Sequence, residues 1–285
     1  MSTFLDPISK PSVELLKPKI IKRFKEGRGN GEGKTYKPFL EVRDVPSSGR
    51  IHRLPSITHG RIVHLLSDLE LAAFLLFDWS SNVIDIREQF PLDPNRTFEL
   101  SQTCQISHPA FRGDYQVMTT DFVIDIDING KIHTQAISVK YSTDLKNKRV
   151  IEKQELERRY WESKEIEWFI FTENEVPNIL IQNIKWVLPH IHSFELNKND
   201  RHIIFEDINY ALQTYPVSKI AKSMALLDEN KHQKAGTHLQ YFRHLLAQRA
   251  FAWDMSKIKH SSLTTNQIKA NENWLIMEEA YVSAE

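Results

Sequence analysis

Residues 119–141 read TTDFVIDIDINGKIHTQAISVKY, and the fold turns on the pair Asn129-Gly130 near their middle. Both central residues of a type I′ turn need positive φ, which Asn-Gly supplies at little steric cost, so the segment reads as a tight β-hairpin. A two-residue loop fixes the register. Ile128 opposes Lys131, and counting outward Asp125 meets Thr134 and Asp121 meets Ser138. Lys140 then lies opposite Thr119, diagonal to Asp121 and within side-chain reach. Phe122, Ile124 and Ile126 make the face expected to bury. The other face gathers Asp121, Asp125, Ser138 and Lys140. A solvated edge hairpin would carry such residues without penalty; a site for a divalent cation would require them.

Upstream, SDLELAAFLLFDWS (67–80) predicts a helix capped by Ser67 with Glu70 at the capping-box position. NVIDIREQF (82–90) alternates as a strand, with Ile84, Ile86 and Phe90 on one side and Asp85, Arg87 and Gln89 on the other. Residues 91–118 read as a loop. Downstream, VIEKQELERRYWES (150–163) is a charged amphipathic helix, IEWFIFT (166–172) a short apolar strand of the buried kind, and PNILIQNIKWV (177–187) another helix. The order helix, strand, strand, strand, helix, strand is that of an α/β restriction-endonuclease-like nuclease core, an analogy at the level of the fold.

That order brings a helix Glu, a strand Asp and a strand-end Lys into one neighbourhood. Mg²⁺ is a hard ion that keeps several waters and binds through one or two carboxylates together with substrate phosphate. A bound cation makes water a better nucleophile at neutral pH. Glu70 and Asp121 are therefore the expected metal ligands, and Lys140 the group that orients the water, helps deprotonate it or offsets charge on the phosphate. Asp125, Gln89 and Ser138 are accessory candidates.

Three regions are expected: a basic arm over 1–60, the catalytic domain over 61–190, and a mainly helical, winged-helix-like domain over 191–285. Residues 1–60 hold twelve Lys and Arg against six Asp and Glu, and their run KEGRGNGEGKTYKPF has few apolar positions. PVSKIAKSMALLDEN (216–230) and THLQYFRHLLAQRA (237–250) have helical periods, and FAWDMSKIKHSSL (251–263) suits a wing. The second helix offers His238, Gln240, Arg243, His244 and Arg249, of which Arg243 and Arg249 are the expected DNA contacts. A small helical bundle for protein contacts accounts for the same pattern.

Several classes are excluded. The single cysteine, Cys104, permits no internal disulfide framework. No run approaches a membrane span, and the start lacks the apolar stretch of a signal peptide, so a cytoplasmic protein is expected. The glycine-rich run lacks P-loop spacing. DIDING (125–130) imitates the opening of an EF-hand loop, but its closing Glu would fall on Ala136. The histidines of 190–202 have no zinc spacing.

Segments 26–50 (EGRGNGEGKTYKPFLEVRDVPSSGR), 64–92 (HLLSDLELAAFLLFDWSSNVIDIREQFPL), 108–122 (HPAFRGDYQVMTTDF), 138–141 (SVKY) and 156–172 (LERRYWESKEIEWFIFT) together resemble the TnsA-type transposon endonucleases. The resemblance implies a Mg²⁺-dependent enzyme, with Mn²⁺ as a substitute, that cleaves the 5′ strands at transposon ends. It implies transposon-end DNA, a DDE transposase subunit and an AAA+ ATPase regulator as partners, no membrane, and association with the nucleoid when active. Its catalytic residues fall on Glu70, Asp121 and Lys140. Two residues before the lysine the family often has Gln or an acid, and here stands Ser138, a weaker ligand. That departure keeps a non-catalytic DNA-binding adaptor in view, beside a freestanding nuclease of repair or restriction type.

Overall fold

A computed structural model describes residues 16–44 and 50–274. Parts of the expected arm, residues 1–15 and 45–49, and the end of the expected C-terminal domain, 275–285, lie outside the described residues. The chain divides into two compact units, 1–176 and 177–285, ahead of the 190/191 boundary expected from the sequence.

The first unit contains α1 (Pro18–Lys25), β1 (His52–Pro55), β2 (Ile62–Leu65), α2 (Asp68–Trp79), β3 (Val83–Pro91), α3 (Pro94–Thr103), β4 (Ala110–Phe111), β5 (Asp114–Tyr115), β6 (Thr119–Ile128), β7 (Lys131–Val139), α4 (Lys148–Glu162) and β8 (Glu167–Phe171). Its central sheet has the order β3-β6-β7-β8, antiparallel except for the parallel β7–β8 pair. The Asn129-Gly130 turn holds, with φ of 55° and 79°, and β6 pairs β7 in the expected register from Ile128–Lys131 through Asp125–Thr134 to Phe122–Ile137.

The hairpin is not an exposed edge, because β6 and β7 are the inner strands and both faces of the sheet are covered. On one side Phe122, Ile124, Ile137 and Val139 pack with Leu69, Ala73 and Phe74 of α2 and with Val63 and Leu65 of β2. On the other, Val123 and Ala136 pack with Leu156, Tyr160 and Trp161 of α4 and Leu100 of α3. Gln89 interrupts β3 with φ of 48°, a local break that disturbs the alternation of a strand. Phe90 consequently joins Trp161 on the α4 side, while Ile86 stays with α2 and Ile84 is exposed. β8, expected to be buried on both faces, is an edge strand with Phe169 exposed. The expected loop over 91–118 contains α3 and the small β4–β5 hairpin.

The expected arm is, over its described residues 16–44, part of the fold. Tyr36 is buried with the α4 cluster and donates its hydroxyl to the Glu88 carbonyl (3.0 Å), and the Phe39 amide donates to the Gln89 carbonyl (3.2 Å). Arg23 and Arg28 both pair with Asp44. The segment thus closes over β3. Its glycines make the turns that permit this: Gly31 has φ of 93°, and a Cβ there would lie 2.6 Å from the Thr35 carbonyl oxygen.

The second unit contains α5 (Asn178–Val187), α6 (Lys198–Thr214), α7 (Ile220–Asn230), α8 (Thr237–Ala247), β9 (Phe251–Ala252) and β10 (Lys269–Ala270). The helix α5, expected in the nuclease domain, belongs here: fully buried Asn183 donates to the Met255 and Ile258 carbonyls (2.9 and 2.8 Å) and accepts from the His260 amide (2.7 Å). The two helices expected over 216–250 are present as α7 and α8, and β9 pairs β10 across two residues on each strand. Asp228 of α7 caps α8, accepting from the Gly236 and His238 amides (2.7 and 2.9 Å) and lying 2.7 Å from His238 Nδ1.

Candidate active site

Glu70 sits in the first turn of α2. Ser67 caps that helix by accepting the Glu70 amide (3.0 Å), and the Glu70 carboxylate turns back past the cap to accept the Leu66 amide (2.9 Å), rather than the Ser67 amide of a full capping box, together with a hydroxyl bond of 3.3 Å from Ser67. Asp121 lies one residue beyond the last paired positions of β6 and β7. Its carboxylate replaces the missing ladder bond by accepting the Val139 amide (2.7 Å). It also takes Lys140 Nζ (2.7 Å) and, more distantly, the Ser138 hydroxyl (3.4 Å). Lys140 Nζ donates as well to the Val139 carbonyl (2.8 Å).

Gln89 ties the two carboxylates together. Its Nε2 donates to Glu70 (3.3 Å) and Asp121 (3.5 Å), while its Oε1 accepts from the Thr119 hydroxyl (3.3 Å). The structure therefore brings Glu70, Gln89, Asp121, Ser138 and Lys140 into one cluster. Burial first, and the Asp121 charge next, push the Glu70 carboxyl up to about 8. For Lys140 burial, the largest single effect, acts to lower the affinity for a proton, but Asp121, Glu157 and Glu70 together outweigh it and the ammonium is held above its usual range. Lys140 thus stands beside Asp121 as an ammonium.

Among the described residues no group of three or more His, Cys, Asp or Glu side chains is placed to hold a metal. The Glu70–Asp121 pair stands instead as two neighbouring carboxylates, one of them buried enough to resist ionising alone. That donor set fits a hard divalent ion whose remaining positions go to water and phosphate oxygen.

Asp125 is not a member of this cluster. It pairs with Arg87 (2.8 Å) and accepts the Thr134 hydroxyl (2.6 Å), in a buried chain of charges that continues through Asp85 to His59. Its part is to neutralise Arg87 inside the sheet. Arg243 is likewise committed elsewhere: its guanidinium donates to the Trp186 carbonyl and lies 4.9 Å over the Trp186 ring. His238 and His244 are buried. Of the residues this helix was expected to offer, Gln240 is exposed, and so is Arg249, an expected DNA contact, just past the helix end.

One residue escaped sequence reasoning. Glu157 of α4 is buried, accepts from the Thr120 hydroxyl (2.9 Å) and Trp168 Nε1 (3.2 Å), and lies close enough to feel both Lys140 and Asp121. Burial raises its carboxyl to about 7, against the opposing pull of Lys140. A signal existed, since Glu157 precedes Tyr160 and Trp161 by three and four residues and so shares their apolar stripe.

A mixed sheet between helices, with Glu, Asp and Lys side chains converging where two inner strands part, fits a nuclease core. The chain belongs to the TnsA endonuclease family: the family described as TnsA-like endonuclease N terminal matches residues 80–173, and that described as TnsA endonuclease C terminal matches 175–255. It is 49% identical over 180 residues to the transposon Tn7 transposition protein TnsA of Escherichia coli, a match covering 63% of this chain and 66% of that protein. The chain thus spans just under two thirds of that relative's length. No helix among the described residues is long and apolar enough to cross a membrane.

Proposed function

We propose that the protein is a metal-dependent DNA endonuclease that cleaves the 5′ strands at transposon ends. In this reading it works within the cytoplasm, at the nucleoid, beside a DDE transposase and an AAA+ ATPase regulator. The observation that carries the reading is the joint hold of Gln89 on Glu70 and Asp121, with Lys140 on the same Asp121 carboxylate. The kinship with a transposition protein supports transposon-end DNA as the substrate.

Glu70 and Asp121 would hold Mg²⁺, for which Mn²⁺ substitutes; the ion lowers the pKa of bound water and offsets charge on the phosphate. The chain's own groups do the rest. Val139 and Lys140 fix the Asp121 carboxylate in direction. The Lys140 ammonium, anchored at the Val139 carbonyl, presents positive charge to the phosphate that approaches Asp121. Gln89 keeps the carboxylates adjacent, and Ser138 contributes a hydroxyl where the family often has a stronger ligand. The α7–α8 helix–turn–helix with its β9–β10 ladder is read as winged-helix-like, with Arg249 rather than Arg243 among its DNA contacts.

Calorimetric titration with Mn²⁺ tests the reading. The unaltered chain should show a site that Asp121→Ala removes, whereas an adaptor with a decayed core shows the same heats with and without that carboxylate. Equal titrations would overturn the nuclease assignment.

A further inference from the structure

The β4–β5 hairpin lies outside the cluster described above and has an unusual tip. Its register pairs Phe111 with Asp114, leaving Arg112 and Gly113 as the two loop residues, with φ of 51° and 84°. This is the geometry for which Asn-Gly is the favoured pair. The chain uses Asn129-Gly130 for its other such turn. Here an arginine occupies the left-handed position despite the steric cost of its Cβ. Phe111 beside it is 61% exposed, and the Arg112 guanidinium lies 5.2 Å from the centre of the Phe111 ring.

The base of the hairpin is anchored as firmly as its tip is exposed. Tyr115 packs edge-on against Phe98 and His108, with ring centres 5.2 and 5.6 Å apart. His108 reaches the Thr97 hydroxyl (3.1 Å), the Gln116 amide donates to the Pro109 carbonyl (3.0 Å), and Asp114 pairs with Lys17 (2.6 Å). Arg149, in the first turn of α4, donates to the Ser107 carbonyl (2.7 Å). The hairpin base therefore borders the segment that follows Lys140, on which Lys146 and Lys148 are exposed. Tyr115 precedes Asp121 by six residues and Phe111 precedes it by ten, so even along a fully extended chain the hairpin base is within roughly 20 Å of the carboxylate cluster and its tip within roughly 35 Å.

We propose that this hairpin is a DNA-contacting finger, Phe111 stacking against or between bases and Arg112 meeting the sugar–phosphate edge, on the same duplex that Glu70, Asp121 and Lys140 engage. A flat aromatic face with a guanidinium beside it, on a rigid turn bordered by lysines, matches the chemistry of nucleic acid: a π-stacked base next to an anionic backbone. The proposal rests on the reading that the chain acts on duplex DNA.

The test is DNA affinity by fluorescence anisotropy, for the full chain in EDTA so that the duplex stays intact, over a range of salt. The duplex carries 2-aminopurine to report unstacking. Phe111→Ala should weaken binding about tenfold, leave the salt slope unchanged and abolish the 2-aminopurine response, and Phe111→Trp should restore both. Arg112→Asn should melt no lower than the parent, since Asn suits the turn, yet bind more weakly with a log–log salt slope reduced by about one. That split between stability and affinity is one a structural role would not give. Parent-like binding by both variants would overturn the finger, as would loss of association with a protein partner while DNA affinity stays unchanged. If the unaltered chain binds no duplex even at low salt, the nuclease reading fails and takes the finger with it.

Discussion

Glu70, Gln89, Asp121, Lys140 and Glu157 all have hydrogen-bond partners at the carboxylate cluster, but it is burial first that shifts the Glu70 and Glu157 carboxyls. Glu157 gives the clearest consequence. Its carboxyl rises from an ordinary 4.5 to about 7 chiefly through burial, so between those values the folded chain holds a proton that the unfolded chain has released. Stability from this group is complete below about 4.5 and is lost as pH rises through 7. Glu157→Gln keeps an acceptor for Thr120 and Trp168 but cannot ionise. The variant should lose less stability than the parent between pH 5 and pH 7.5 in urea melts, by roughly 1–3 kcal/mol; parallel pH profiles would contradict the assignment. Glu70, Asp121 and Lys140 were legible in the sequence because a tight turn and a helix cap specify geometry locally. Asp125 was not, because alternation does not say which of many charges a neighbouring element will cover, and Glu157 was signalled only by its place on the Tyr160–Trp161 stripe. Arg87, from the adjacent strand, removed Asp125 from the cluster.

At the scale of elements, the α/β core was legible because each piece carries its own period: the hairpin register, the Ser67 cap and the α4 stripe all hold. The glycine-rich segment was misread for a physical reason. A low count of apolar residues signals an arm only if those residues stay exposed, and here Tyr36 and Phe39 are buried while the left-handed Gly27, Gly29, Gly31 and Gly33 bend the backbone ahead of them. Gly31→Ala should therefore destabilise the protein by about 1–3 kcal/mol, since its Cβ meets backbone at the Thr35 carbonyl. Urea denaturation checks this, and an unchanged midpoint would mean that the segment does not hold its packed form in solution. The break at Gln89 was equally invisible beforehand, as nothing in NVIDIREQF marks the residue whose backbone turns left-handed.

At the scale of the molecule, the two compact units meet the two family segments at nearly the same point, the units dividing at 176/177 and the segments between 173 and 175. A net formal charge of zero conceals the basic excess of residues 1–60, which suits a polyanionic partner and which the overall composition does not disclose. The expected boundary lay later in the chain because α5 looks like any helix following a strand; the bonds of Asn183 to residues 255–260 and of Arg243 to Trp186 assign it to the second unit. The central claim is that Glu70, Asp121 and Lys140 form one phosphodiester-cleaving centre. Strand-specific mapping of nicks on transposon-end DNA, in the presence of the partner transposase and Mg²⁺, tests it most directly. The account predicts 5′-strand nicks that Asp121→Ala abolishes while the protein–DNA complex still assembles; 5′ nicks that persist in that variant would contradict it.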